Sequence, residues 1–500
     1  MNKTVKNSAI LLIIASIFLK VAGLLRDIVI AYYFGDSYLA DAFLAAFLIP
    51  NMLILFIQNG TKDVFIPSYY HYLQQKEEQK YIWNVTLTMV IIGLFVTVIV
   101  YSSAPMIVQT FYPSFTDEAK HIAYTVIRLM ILVFTLVCLN AIFDSFLDVK
   151  QRYQVPVVSQ SLIWISMISF TIFFSGNLGV YSLAYGYMVG VLLASIMKIL
   201  AVKSSFLRST SLHLDTSIVR RYVITLLPVG FTVMIGQINL AIDSIFAGKY
   251  EEGSITYLNY AKSLIHLPQT LIPVIIGTIL FPIISKSFSE NKMKQFQSTV
   301  RDTFQLTLFL ALPAVLGMGI LLLPIISLVY ERGAFDYNAS IATATTGYFY
   351  LGSALFFSIN VVWNKALYTM QKGHYIFRIS CLSILLNIAL NYLLTKFIGF
   401  SGIPLASSIV GIYYTISTWY IYRKLSRGTV GLILKDIIIS VVSVSIMILG
   451  IFTIQQFSTN YSDVLIVLLQ IIIGIFIYFT ISFVLKSYSL SFLFNLIKRN

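Results

Sequence analysis

Residues 140–152, NAIFDSFLDVKQR, recur as residues 360–372, NVVWNKALYTMQK. Asn140 aligns with Asn360, Leu147 with Leu367, Gln151 with Gln371 and Arg152 with Lys372. Upstream, RDIVIAYYFG (26–35) parallels NLAIDSIFAG (239–248). Each then leads through a proline-bearing segment, Pro50 in the first and Pro268 and Pro273 in the second, to FIP at 65–67 and FP at 281–282. A sequence that repeats over such a distance predicts two related structural halves. An even number of predicted spans separates the equivalents. The halves are therefore expected to share one orientation, related by an axis along the membrane normal.

The membrane enters through composition. Of the residues, 58% are hydrophobic and 11% charged, whereas soluble chains carry about 25% charged residues. An aromatic share of 15% suits helix ends in interfacial belts. Segments of roughly 20 apolar residues, the length needed to cross a bilayer, lie near 8–34, 37–61, 83–109, 119–147, 154–175, 178–201, 222–247, 254–284, 303–330, 339–370, 376–398, 401–421, 437–456 and 462–485. The predicted fold is an all-α polytopic membrane protein of about fourteen transmembrane helices. It has two pseudo-symmetric six-helix lobes, 1–215 and 216–430, and two further helices with a cytoplasmic tail in 431–500. Lys3 and Lys6 precede an apolar run that continues to about Phe34 without a small-residue cleavage pattern, so an uncleaved first span is expected.

Charge orients this topology. Most of the 34 Lys and Arg fall at alternate linkers, among them Lys62, Lys76, Lys80, Lys150, Arg152, Lys198, Lys203, Arg208, Arg220, Arg221, Lys372, Arg378, Arg427 and Arg499. The other linkers hold Lys120, Lys249, Arg332 and Lys396. By the positive-inside rule both termini are expected in the cytoplasm. The net charge of +14 is spread singly through short linkers, so nucleic acid is not an expected partner. Cys138 and Cys381 read as small packing residues in apolar segments.

The outer linkers are too short to build a catalytic domain, which argues against an enzyme. His71, His121, His213, His266 and His374 show no ligand spacing, and no metal or other cofactor is expected. Asp144 and Asp148, four apart, can share a helix face and read as a solvated helix end beside Lys150 and Arg152 or, less simply, as a cation-binding pair. Ionisable residues within spans are more informative, since each costs about 2.5–3.5 kcal/mol at a helix centre. Lys20 and Asp27 share a face of the first span, whereas the neighbours Arg26 and Asp27 point about 100° apart and are not expected to neutralise one another fully. With Asp41 they outline a net-basic polar cavity, the alternative being an internal ion-pair network. Gln237, Asn239 and Asp243, with Tyr257, Asn259 and Lys262, supply a second polar wall or ordinary interhelical hydrogen bonds. Pro50, Pro228, Pro268, Pro273, Pro313 and Pro324 are expected inside helices, as bends or hinges.

The stretch GLLRDIVIAYYFGDSYLADAFLAAFLIPNMLILFIQNGTKDVFIP (23–67) resembles the opening of MurJ-type lipid II flippases of the multidrug/oligosaccharidyl-lipid/polysaccharide exporter superfamily, with RD, FG, DAF, PN and FxP in order. The resemblance continues through QINLAIDSIFAG (237–248), residues 253–288, ERGAFD (331–336) and ALYTMQKG (366–373). It implies fourteen helices in two lobes and export of an undecaprenyl-diphosphate-linked sugar, with Arg26 and Asp41 at the positions of the family's essential first-span arginine and second-span aspartate. Where the family often has an arginine pair after PN, this chain has Ile54 and Leu55; where it has YADRL, this chain has YAKSL, with Lys262 one position earlier and Ser263 in the arginine's place.

The resulting expectation is a flippase moving lipid II from inner to outer leaflet by alternating access. Arg26, Lys20, Asp41, Asp27, Lys262 and Asn259 bind the anionic headgroup, and Asp243, Asn239 and Gln237 form a polar network or coupling-ion site. Drive comes from the membrane potential or a proton or sodium gradient, with membrane lipids around a monomer. The alternatives are a flippase for another lipid-linked polysaccharide repeat unit and a small-molecule exporter of the same superfamily.

Overall fold

The structure, a computed structural model, describes residues 3–202, 214–426, 431, 433–457 and 463–498. Lys203, Arg208, His213, Arg427 and Arg499 lie outside the described residues. All regular elements among the described residues are helical. They are α1 (Lys3–Phe34), α2 (Tyr38–Gln74), α3 (Glu78–Phe111), α4 (Asp117–Leu132), α5 (Phe134–Val149), α6 (Gln154–Leu178), α7 (Tyr181–Val202), α8 (Thr216–Ala247) and α9 (Ser254–Ile265). There follow α10 (Leu267–Ser289), α11 (Met293–Ile320), α12 (Leu322–Tyr330), α13 (Tyr337–Thr369), α14 (Gly373–Ile398), α15 (Gly402–Leu425), α16 (Leu434–Phe457), α17 (Asp463–Val484) and α18 (Tyr488–Lys498).

Each predicted span overlaps one helix or two consecutive ones. Among the described residues, eight segments are long and apolar enough to cross a membrane as they stand. Two bent pairs, one of them α4 with α5 at 45°, raise that number to ten. Further breaks fall at His266, between α9 and α10, and at Leu321, between α11 and α12. Pro268 and Pro324 therefore stand in the first turns of new helices rather than inside old ones. There a missing N–H leaves no intrahelical bond unmade. Pro50, Pro228 and Pro313 lie inside helices as expected.

The repeat is written in the backbone. N-caps Thr116 and Asp336 each accept from the N–H three residues on, Ala119 at 3.2 Å and Ala339 at 2.8 Å. Gln151 and Gln371 both take left-handed conformations, with φ of 59° and 58°, and so do Gly179 and Gly399 at 53° and 62°. At both glutamines the next residue's N–H reaches back five residues, from Arg152 to the Leu147 carbonyl and from Lys372 to that of Leu367. This hydrogen bond closes a helix C-terminus in a Schellman motif. The spacing read from one short segment thus holds from residue 116 to Gly179, just beyond the end of α6.

By contact the chain divides into two compact units, Met1–Thr256 with Gly333–Phe335, and Tyr257–Arg332 with Asp336–Asn500. The boundaries at 215 and 430 are of a different kind, drawn from sequence repetition rather than contact. In the first unit α2 packs against α4, α5 and α8. There α6 and α7 approach closely at Gly186 and Gly190, where a Cβ would meet the Met167 Cα at 2.7 Å and the Ile163 Cα at 2.6 Å. In the second unit α13 lies on α15, with Gly352 against Ser408, and α11 packs against α10, α13 and α16. Buried Asp436, at the start of α16, accepts from Ser487 Oγ at 2.7 Å and from the backbone N–H and Oγ of Ser489. It thereby caps α18, a helix where the sequence suggested only a tail. Cys138 is buried as expected, whereas Cys381 is exposed.

Candidate substrate site

In the first unit, Arg26 stands near the end of α1 and is buried. Its Nε and Nη2 both donate to Asp27 Oδ1, at 3.1 and 2.5 Å. Its Cζ lies 5.0 Å from the ring centre of Phe47 on α2 and 5.1 Å from that of Trp164 on α6. Both distances are within cation–π range. The expectation that Arg26 and Asp27 cannot fully neutralise one another is corrected here: the two pair directly. The 100° offset governs where the Cβ atoms point, but the long arginine side chain spans it. Two donors of the five-donor fork are engaged by Asp27.

Lys20, expected on the same site, is exposed on α1. Asp41 is buried on α2 and accepts from the Gly253 N–H at 2.8 Å, the Thr256 N–H at 2.8 Å and Thr256 Oγ1 at 2.7 Å. These are donors of the first turn of α9, so a carboxylate here complements both the unpaired N–H groups and the positive end of the helix dipole. On α8, Asp243 is buried, and the Oδ1 of Asn239 is buried without a hydrogen-bond partner. Gln237 is half-buried. Beside them Tyr112 Oη and Ser244 Oγ are 3.0 Å apart.

In the second unit, Lys262 Nζ sits 4.9 Å from the ring centre of Tyr350. Asn259 Nδ2 is buried without a partner, and His266 Nε2 is 3.0 Å from Ser353 Oγ. A groove of about 1300 Å³ runs among α11, α12, α13, α16 and α17. Its walls are largely apolar, from Leu316 to Val467, with Glu331 and Arg332 at its lining.

Asp144 and Asp148 are not a solvated helix end. Asp144 pairs with Lys198 of α7 at 2.8 Å, and Asp148 with Lys62 of α2 at 2.5 Å. Lys198, which charge counting put at a linker, is 2% exposed. Sequence reasoning also missed Trp164 and Phe47. The one available signal was that Trp164 is among only four tryptophans in the chain, set in an apolar span.

The sequence model of the family described as "Lipid II flippase MurJ" matches residues 30–497. A protein named "Probable lipid II flippase MurJ" from Buchnera aphidicola subsp. Schizaphis graminum is 27% identical over 444 residues, 85% of this chain and 84% of that one. A solved structure of lipid II flippase MurJ in an inward closed conformation superposes with a TM-score of 0.81 at 26% identity, covering 95% of this chain and 98% of the other. An inward-facing MATE family transporter of the MOP superfamily shares the fold with a TM-score of 0.69 at 12% identity, over 82% and 94% of the two chains. The chain belongs to the MurJ family of lipid II flippases.

Proposed function

We propose that this chain is a flippase that carries lipid II, an undecaprenyl-diphosphate-linked saccharide, from the inner to the outer leaflet of the bacterial plasma membrane by alternating access. The observation that carries the reading is Arg26: a buried guanidinium, gripped between two aromatic rings, in a family whose members are named for this substrate. Arginine's planar fork suits a diphosphate. Asp27 then plays the part of an internal anion that the diphosphate displaces. In this reading the repeat-related lobes 1–215 and 216–430 rock about the substrate. Lys262, Lys20 and Asn259 add headgroup contacts, and Asp243, Asn239 and Gln237 form the polar network. Asp41 contributes by holding the start of α9. The large apolar groove of the second unit suits a polyprenyl chain.

Both termini face the cytoplasm in this reading, as the distribution of Lys and Arg favours. With the cell interior negative, moving anionic charge outward gains about 2.3 kcal/mol per charge per 100 mV, so the potential drives export without a catalytic step.

The test is outer-leaflet lipid II in a strain depleted of its own flippase and expressing this chain. Restored delivery, lost on Arg26→Ala at equal expression, is expected. Unchanged delivery with Arg26→Ala removes the site from the reading.

A further inference from the structure

The repeat carries one asymmetry. In the second half, Thr418 Oγ1 donates to Asn360 Oδ1 at 2.7 Å, and Asn364 follows one turn after Asn360. The matching positions of the first half hold Asn140 and Asp144 on α5 and Lys198 on α7. Here Asn140 Nδ2 donates to Ser195 Oγ at 3.0 Å, and Lys198 Nζ lies 2.8 and 2.9 Å from the two oxygens of Asp144. The same helix pairing is therefore built in the second half with an amide and a hydroxyl, and in the first with an amide, a hydroxyl and in addition two ions. Since a buried ion pair is seldom more stabilising than a neutral replacement, folding alone does not account for the charges.

A cavity of about 100 Å³ adjoins the pair, lined by Asn51 and Gln58 of α2, Asn140 of α5, Gln160 of α6 and Lys198 of α7. Asn140 is 3% exposed, and its Oδ1 has no hydrogen-bond partner. Of the three N–H donors of Lys198, one is given to Asp144 Oδ2, while Asp144 Oδ1, though 2.8 Å from Nζ, accepts no hydrogen bond. Water that accepts from Lys198 and donates to Asn140 Oδ1 satisfies both, and the cavity has room for a few molecules at roughly 30 Å³ each. One turn along α5, Asp148 meets Lys62, whose side chain is 54% exposed. Lys198 is buried, but the Asp144 side chain is itself 23% exposed, so water reaches the carboxylate end of the pair.

We propose that Asp144 is a protonation site, exchanging a proton with water held in this cavity. A hydronium O–H bond breaks, an O–H bond forms on the Asp144 carboxylate, and a neutral water remains. Lys198 keeps its own proton, so the pair passes from net zero to net +1. Among the described residues, the charges that act on the carboxylate are Lys198 from α7, Lys62 from α2 and Asp148 from its own helix. Phe47 and Trp164, which grip Arg26, also wall the cavity, so charge gained at Asp144 is felt at the Arg26 clamp. That last link rests on the flippase reading; the protonation does not.

Two measurements on the full chain in lipid nanodiscs or vesicles separate the cases. Infrared difference spectra between acid and neutral pH are expected to show a protonated-carboxyl stretch that disappears in the double variant Asp144→Asn, Lys198→Thr. That variant copies the second half's residues and leaves no unpaired buried charge. No such band, or the same band in the double variant, overturns the proposal. Lipid II delivery is expected to vary with pH in the parent and to lose that dependence in the double variant, whereas an unchanged pH profile overturns the coupling of Asp144 to the Arg26 clamp. A parent that delivers no lipid II but retains the band defeats the flippase reading alone.

Discussion

Arg26 and Asp27 are adjacent in the chain, and both nitrogens by which the guanidinium engages Asp27 reach the same carboxylate oxygen, at 3.1 and 2.5 Å. The aspartate thus occupies the fork that an anionic headgroup requires. Asp27→Asn is expected to tighten binding of a polyprenyl diphosphate about tenfold, the scale of one charged hydrogen bond, as read by titration in nanodiscs. Trp164→Leu removes one of two ring contacts to Arg26, worth about 1 kcal/mol, and is expected to weaken the same binding several-fold, with Trp164→Phe between. Equal affinities across the parent and the three variants speak against Arg26 as the headgroup ligand.

Asp41 has a different task. Its two oxygens satisfy three donors of residues 253–256, and within a membrane protein nothing nearby replaces them cheaply. Asp41→Ala is expected to destabilise the protein by about 2–3 kcal/mol, the penalty for buried donors left unmade, measured by chemical unfolding in detergent. Asp41→Asn, which keeps acceptor oxygen on one side only, should fall between.

Gln151 and Gln371 hold left-handed backbone conformations that cost a side-chain-bearing residue about 1–2 kcal/mol. Glycine does not bear that cost, though it loses more entropy on folding. Each of Gln151→Gly and Gln371→Gly should therefore raise stability by up to about 1 kcal/mol, visible as a higher melting temperature. A fall at either position contradicts the assigned φ.

Outside the spans, Asp215 caps α8 through the Ser217 N–H at 2.9 Å and pairs with Lys80 at 2.6 Å. The hydrogen bond from Lys80, then those from Ser217, hold its carboxyl well below the usual range. A depressed carboxylate stabilises the fold at pH above its unfolded value near 3.9. That contribution fades as pH falls below this value towards the folded one. The melting-temperature difference between the parent and Asp215→Asn should accordingly be present at pH 7 and shrink steadily below about pH 4. A difference independent of pH assigns the effect to capping without charge.

Much of the fold was legible because its determinants are local. Apolar length, the linkers' basic residues and the repeat spacing follow from hydration and helix geometry alone, and each predicted span meets a helix. The breaks at His266 and Leu321 were not legible as breaks. A proline in an apolar run reads the same whether it bends a helix or begins one. Helix α18 was missed because its cap, Asp436, lies some fifty residues upstream.

The sequence by itself determined the membrane as solvent, the two related halves and Arg26 as the residue to watch. The tertiary structure alone decided that Asp27 folds back onto that arginine, that Trp164 and Phe47 hold it, that Asp41 serves a helix start, and that Lys198 is buried against Asp144. The reason is physical. A span's need to be apolar is set residue by residue, whereas the partner of a buried charge is whichever group the packing brings within about 4 Å, and that group can lie anywhere in the chain.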